Sequence, residues 1–237
     1  MANLNEPVLP GTAASDYERY LKTDELLSLQ KTAAEMAHRD ELLFQVIHQA
    51  AELWLKLATF EIETTITRLD ADETWQAVRL LGRAVDCLDH VTNGTMMLEH
   101  LKPWDYHGVR RALGHGSGFD SPGFRRTHEI SPQLGEAFSR LLARRQLGLM
   151  ELYRSSHAHE DVFQIAERLV DWDLRLMQWR AIHLKLVERI IGGHVIGTQG
   201  TPVEVLGRRM DVRFFPTLWD VRNALTADAH TSPDQAS

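Results

Sequence analysis

The chain has 237 residues, of which 43% are hydrophobic and 25% charged, and a formal net charge of -7. That length is ample for one large core, and the acidic balance, with no basic cluster beyond pairs such as Arg125-Arg126 and Arg144-Arg145, argues against bulk nucleic-acid binding. The lone cysteine, Cys87, excludes an internal disulfide framework; with no signal peptide in "MANLNEPVLPGTAASDY" and no apolar run of about 18 residues, the expected setting is cytoplasmic.

Residues 1–14, with Pro7, Pro10 and Gly11, read as a flexible arm. Ser15-x-x-Glu18 is a capping box, so a short helix starts near Asp16 and breaks near Thr23-Asp24. Its apolar positions include Tyr17, Tyr20 and Leu21, which by themselves read as a staple onto the chain's own core. Residues 39–69 carry helical periodicity on two faces. One stripe is Leu43, Val46/Ile47, Ala50, Leu53/Trp54 and Leu57; the other is Phe44, His48, Ala51, Leu55 and Ile62. A helix apolar on two faces is buried or packs on two partners.

Residues 73–101 form the next long candidate helix. Pro103 opens an irregular stretch to about residue 123, with a short helix at 106–113 and the glycine-rich "GHGSGFDSPG". Residues 133–153 and 160–191 read as helices, the second closed by Gly192-Gly193. A loop, "HVIGTQGTPVE", and a short apolar segment around "RFFPTLWDVRNAL" follow, and residues 226–237 read as a disordered tail. The fold expected is all-α, a bundle of long antiparallel helices with no significant sheet.

Two histidines stand out. His183 is the one polar member of the stripe Trp172, Leu176, Trp179, His183, Val187 and Ile190, and His48 is the polar member of the second stripe of residues 39–69. A lone imidazole on an apolar face is either a core residue bonded to a neighbour or a ligand. Neither histidine sits in an HxxxH or HxxE pair, so a metal site on one helix is unsupported. A haem needs one axial imidazole and an apolar slot between helices, which this pattern offers. The other histidines fall in polar or loop contexts, and Cys87 packs as a small apolar residue. Nucleophile elbow, P-loop, CxxC and dinucleotide fingerprints are absent from the sequence. The acidic clusters Glu61-Ile62-Glu63 and Asp70-Ala71-Asp72-Glu73 read as a solvated face and a helix start.

Five blocks in order, "YERYLKTDELLSLQ", "RDELLFQVIHQAAELWLK", "VRRALGHGSGFDSPGFRR", "WRAIHLKLVERIIG" and "GTQGT", resemble the tryptophan 2,3-dioxygenase family of haem enzymes. The resemblance runs from Tyr17 to about Val221. It implies residues 15–225 as a single all-α catalytic domain holding one haem b per subunit. The implied reaction opens the indole C2–C3 bond of L-tryptophan with O2 to give N-formylkynurenine, in tryptophan catabolism. The implied assembly is a homotetramer, a dimer of dimers, with no nucleic-acid or membrane partner.

The family's site residues fall on matching positions. His183 matches the axial haem ligand and Trp179 its supporting neighbour. His48 matches the catalytic histidine that faces the indole N–H, and Phe44 lines the same pocket. Arg110 matches the clamp on the substrate carboxylate, Tyr106 and Leu113 the pocket wall, Ser117 and Gly118 the turn beside the haem, and Thr198 the contact to the substrate ammonium. Tyr17, Tyr20 and Leu21 match a helix that reaches into a neighbouring subunit's site.

The chain also departs from the pattern. Ala51 replaces the usual tyrosine of HQAYELW, the loop Gly197–Pro202 differs, "GFDSPGFRR" is altered, and the segment after residue 126 is short. A family member acting on a modified tryptophan, with one oxygen atom added to give an oxindole, is the alternative these departures raise. A haem-binding bundle without turnover would need His183 but not Arg110 and Thr198.

Overall fold

The computed structural model describes residues 6–196, 203–207 and 210–231. Among these the chain is all-helical, as expected. Four long helices carry the core: α3 (Glu41–Asp70), α4 (Thr74–Met96), α6 (Pro122–Arg145) and α8 (Glu160–Ile191). The shorter ones are α1 (Asp16–Leu21), α2 (Thr23–Leu27), α5 (Pro103–Leu113), α7 (Leu149–Arg154), α9 (Glu204–Gly207) and α10 (Pro216–Thr231).

Cross-helix bonds give the direction of each pair. Glu61 on α3 pairs with Arg83 on α4, and Trp54 stacks on His90, so α3 and α4 run antiparallel across their tight turn. Phe124, Ser131 and Arg145 on α6 meet Trp179, Trp172 and Asp161 on α8, again antiparallel. Glu52, Glu63 and Asp70 meet Ser121, Arg126 and Arg140 in the same order, so α3 and α6 are parallel neighbours. Thr74, Asp89 and Thr95 meet Asp161, Arg175 and Trp179 likewise, so α4 and α8 are parallel. The connection from α4 to α6 therefore crosses the end of the bundle, and α5 and the glycine-rich turn lie in that crossing.

The core is the meeting of four apolar stripes: Leu55 and Ile62 from α3, Leu81 and Leu88 from α4, Leu134 and Leu141 from α6, Leu169 and Trp172 from α8. Each is fully buried, and burial at roughly 25 cal/mol per Å² makes this the main stabilising term. Trp172 donates its indole N–H to Ser131 at 2.9 Å, so the one polar atom of that ring is paired.

Several boundaries differ from the sequence expectation. The helix expected to begin at residue 133 begins at Pro122, with Ser121 as its cap and proline at its first position, where a missing N–H costs nothing. Pro132 lies inside the same helix, because the apolar stripe Ile130, Leu134, Phe138 continues across it. The helix expected to run to residue 153 breaks at Gln146, which adopts a left-handed conformation with φ 51°, and α7 restarts after Gly148. The disordered tail expected from residue 226 is helical as far as Thr231, where α10 ends; Arg154 on α7 pairs with Asp228 and fixes this turn. The expected flexible arm is also partly pinned. The Val8 and Leu9 amides bond to the Asp16 carboxylate at 2.8–3.0 Å, and Arg19 reaches the Ala13 carbonyl at 2.8 Å.

The C-terminal segment returns to α8 through Asp173, which is fully buried. Its carboxylate accepts the amides of Phe214 and Phe215 and the indole N–H of Trp219 at 2.8–3.1 Å. Burial pushes the Asp173 carboxyl above its ordinary range, and those three donors oppose the shift.

One apolar face stays open. On α3, Leu42, Val46, Leu53, Leu57 and Phe60 are exposed, the last at 62%. Among the described residues, much of the first stripe of residues 39–69 is thus left uncovered. Tyr17, Tyr20 and Leu21 are exposed at 68%, 77% and 46%, and no residue of α1 is buried, so they do not staple onto their own core.

Candidate active site

His48 stands on α3 and His183 on α8. A positive charge on His48 disfavours one on His183, so the rings lie within electrostatic reach of each other. The α8 stripe shows why. Trp172, Leu176 and Ile190 are buried, whereas Trp179, His183 and Val187 between them are only partly covered. The apolar seam opens at its centre. On α3, Leu55 is fully buried, Ala51 and Phe44 partly, and His48 is solvent-accessible while still walled by protein.

His48 Nδ1 lies 2.7 Å from the Phe44 carbonyl. A carbonyl only accepts, so Nδ1 carries the proton and Nε2 is left as an acceptor. The Phe44 and His48 rings pack at 4.0 Å, and Tyr106 of α5 adds a third ring 6.4 Å from Phe44. Burial lowers the His48 pKa, against the carbonyl bond and the negative charge of Glu52.

His183 is held differently. Trp179, one turn earlier, stacks on it with centroids 4.9 Å apart and planes at 10°. The Trp179 N–H goes to Thr95 of α4 at 3.3 Å, and Phe124 of α6 covers the other side of the indole at 3.9 Å. Trp179 therefore meets the imidazole face to face, not through a ring nitrogen. Among the described residues His183 makes no hydrogen bond. Burial, reinforced by His48, pushes its pKa down to about 4. A neutral imidazole with both nitrogens uncommitted, beside an apolar opening, fits an axial haem ligand.

The sign of that shift yields a prediction. The folded-state value of about 4 lies below the ordinary 6.5, so the unfolded chain binds the extra proton between them. Stability of the haem-free protein is expected to fall as pH drops from 6.5 towards 4, by up to about 3 kcal/mol from this group. Urea unfolding at pH 7 and pH 5 measures it, and His183→Leu is expected to flatten the difference; an unchanged pH slope in that variant removes His183 as its source.

Arg110, on α5, sits near enough to Tyr106 to oppose the upward shift that burial imposes on the phenol. Its guanidinium donates to the Ile196 carbonyl at 3.1 Å. Arg110 also borders an open concavity of about 730 Å³ with Trp104, His107, Arg111, Gly114 and His115. That concavity contains neither His48 nor His183.

The remaining expected residues divide. Ser117 caps the turn Gly118–Asp120: its hydroxyl accepts the Phe119 amide, its own amide donates to the Asp120 carboxylate, and a side chain at Gly118 would meet open space. Leu113 ends α5, is 38% exposed, and lies against Gly116. Thr198 falls outside the described residues. Tyr17, Tyr20 and Leu21 stand apart from this chain's own site.

Sequence reasoning missed Thr95, Phe124 and Glu52. Thr95 is a buried hydroxyl, Phe124 lies in the first turn of α6, and Glu52 follows His48 by one helical turn. The last was legible from its i+4 spacing. His38, expected at the surface, is half-buried between Asp40 and Asp105, 3.9 Å from each.

Comparison with known proteins fits this arrangement. The family model described as tryptophan 2,3-dioxygenase matches residues 4–146. A tryptophan 2,3-dioxygenase of Xanthomonas campestris pv. campestris (strain B100) is 32% identical, over 93% of this chain and 90% of its own length. One from Xanthomonas euvesicatoria pv. vesicatoria (strain 85-10) is 33% identical over 93% and 92%. One from Bacillus thuringiensis (strain Al Hakam) is 32% identical over 88% and 92%. The first alignment spans 272 positions against the 237 residues of this chain, so that relative holds insertions this chain lacks. The chain belongs to the tryptophan 2,3-dioxygenase family of oxidoreductases.

Proposed function

We propose that the chain is a haem-dependent oxygenase that inserts O2 into the indole ring of L-tryptophan, cleaving the C2–C3 bond to give N-formylkynurenine. The observation that carries this reading is the pair of neutral imidazoles on two long helices, within electrostatic reach of each other: His183 uncommitted, His48 with one nitrogen left to accept. Haem b, held by His183, supplies the activation of O2 when bound.

The chain's own residues orient the substrate. His48 Nε2 accepts the indole N–H, the one polar atom of that ring, while Phe44 and Tyr106 wall the apolar remainder. Arg110 exchanges its bond to the Ile196 carbonyl for the substrate carboxylate, a charge-assisted pair stronger than the neutral one it replaces. The family resemblance assigns the ammonium to Thr198, which lies outside the described residues. Trp179, fixed by Thr95 and Phe124, keeps the His183 ring in one plane. Ser117, Gly118 and Leu113, at the end of α5 and in the turn after it, would line the haem when it is bound.

Ala51 favours a second reading. It is partly buried one turn from His48, where the family pattern has a tyrosine, and the smaller side chain leaves room for a modified indole. One-oxygen output as an oxindole belongs to this reading. Anaerobic reduction of the haem-loaded protein, followed by tryptophan and then O2, separates the cases by haem absorption and product mass. Two added oxygen atoms support ring cleavage; one supports the oxindole; no product leaves a haem-binding bundle.

The exposed face of α3 and the unburied α1 support a homotetramer, a dimer of dimers, in which Tyr17, Tyr20 and Leu21 complete a neighbour's site. No helix among the described residues is long and apolar enough to cross a membrane, and the proposed setting is the cytoplasm. Leu53→Glu with Phe60→Glu is expected to lower the assembled mass by light scattering, because a buried unpaired carboxylate costs several kcal/mol. An unchanged mass would exclude this face from the interface.

A further inference from the structure

Glu52 lies one turn beyond His48 on α3, with its two oxygens divided between two donors. Oε1 accepts the hydroxyl of Ser121, and Oε2 accepts the Gly123 amide at 2.9 Å. Gly123 is in the first turn of α6, where an N–H has no partner within its own helix. Ser121 is the cap of that helix and accepts the Phe124 amide at 3.1 Å. Glu52 thus completes, from a different helix, the capping that Ser121 begins.

The fit is tight enough to dictate the residue. A Cβ added at Gly123 would stand 2.7 Å from Glu52 Oε2 and 2.7 Å from Leu55 Cβ. Only glycine lets the two backbones approach this closely. The next residue, Phe124, packs its ring 3.9 Å from Trp179, and Trp179 stacks on His183. The turn Gly118–Asp120 leads directly into Ser121.

We infer that Glu52 is a positioning residue: it clamps the start of α6 and the turn before it onto α3, and through Phe124 it fixes Trp179 and the plane of the His183 imidazole. Its haem arm rests on the function proposed above; its backbone arm does not.

The test uses the full chain loaded with haem and compares Glu52→Ala, Glu52→Gln and Ser121→Ala. Amide hydrogen exchange is read at residues 117–124, and haem release is read from loss of the bound absorption band. Glu52→Ala is expected to speed exchange at Gly123 and Phe124 roughly tenfold or more, since both bonds are lost, and to speed haem release by roughly the same factor. Glu52→Gln keeps an acceptor for Gly123 and offers an N–H to the Ser121 oxygen, so it is expected to stay within about twofold of wild type in both. Ser121→Ala removes one of the two bonds and is expected to fall between them, which keeps the inference testable if Glu52→Ala does not fold.

Unchanged exchange in Glu52→Ala or Ser121→Ala overturns the inference. So does a Glu52→Gln protein as impaired as Glu52→Ala, which would assign the effect to charge and not to positioning. Faster exchange with unchanged haem release overturns the link to His183. A wild-type chain that takes up no haem refutes the functional reading instead, and the exchange arm still decides the role of Glu52.

Discussion

His183→Ala is expected to yield a folded protein that retains roughly a tenth or less of the wild-type haem, beyond the loss typical of a supporting residue. The reasoning is local. His183 makes no hydrogen bond among the described residues and is held by stacking on Trp179. Removing it strands no polar partner, and alanine is the best helix former. The fold should survive, since Trp172 and Leu176 before it and Ile190 after it carry the packing of α8. The iron loses its axial ligand. The ratio of haem absorbance to protein absorbance checks this, with helical circular dichroism as the control. Full haem retention in a folded variant would remove His183 from the ligand role.

Arg110→Ala is expected to raise KM for tryptophan roughly 100-fold, the effect of about 3 kcal/mol, with haem content unchanged. Among the described residues the guanidinium bonds the Ile196 carbonyl, at 3.1 Å, a neutral partner that it can exchange. Without it a substrate carboxylate would lie beside the apolar rings of Tyr106 and Phe44 unpaired, which is the costly case. Arg110→Lys should recover part of the loss, because an ammonium supplies charge but not the planar fork. Steady-state kinetics on the two variants reads the effect. A wild-type KM in Arg110→Ala would show that the carboxylate is recognised elsewhere.

Both expectations depend on residues visible from sequence, and for the same reason. His183 interrupts an apolar stripe at spacings of four and three, and α8 ends where Gly192 adopts φ 96°, so periodicity and the stop signal agreed on residues 160–191. His48 was equally plain within α3. The family blocks then gave Arg110 a role that no periodicity could give it, since Arg110 is one of several arginines on exposed helix faces.

The hidden parts depend on partners far apart in the chain. Thr95 to Trp179, Phe124 to Trp179 and Glu52 to Gly123 each join elements dozens of residues apart, and nothing in a single helix period reveals them. The start of α6 was hidden because the glycines of "GHGSGFDSPG" carry the irregular reading to about residue 123, although Pro122 sits at the first helical position and Pro132 further on is carried by packing. The two faces of α3 were legible as apolar but not as different in kind. Leu55 and Ile62 are fully buried, while Leu53 and Phe60 are exposed.

In the proposed function His48 and His183 serve one oxygenase site for an indole amino acid. A single turnover of the reduced, haem-loaded protein with tryptophan and isotopically labelled O2 tests it most directly. The account predicts one ring-opened product that carries both labelled oxygen atoms. A product without the label, or unaltered tryptophan with O2 still bound or released, would contradict it.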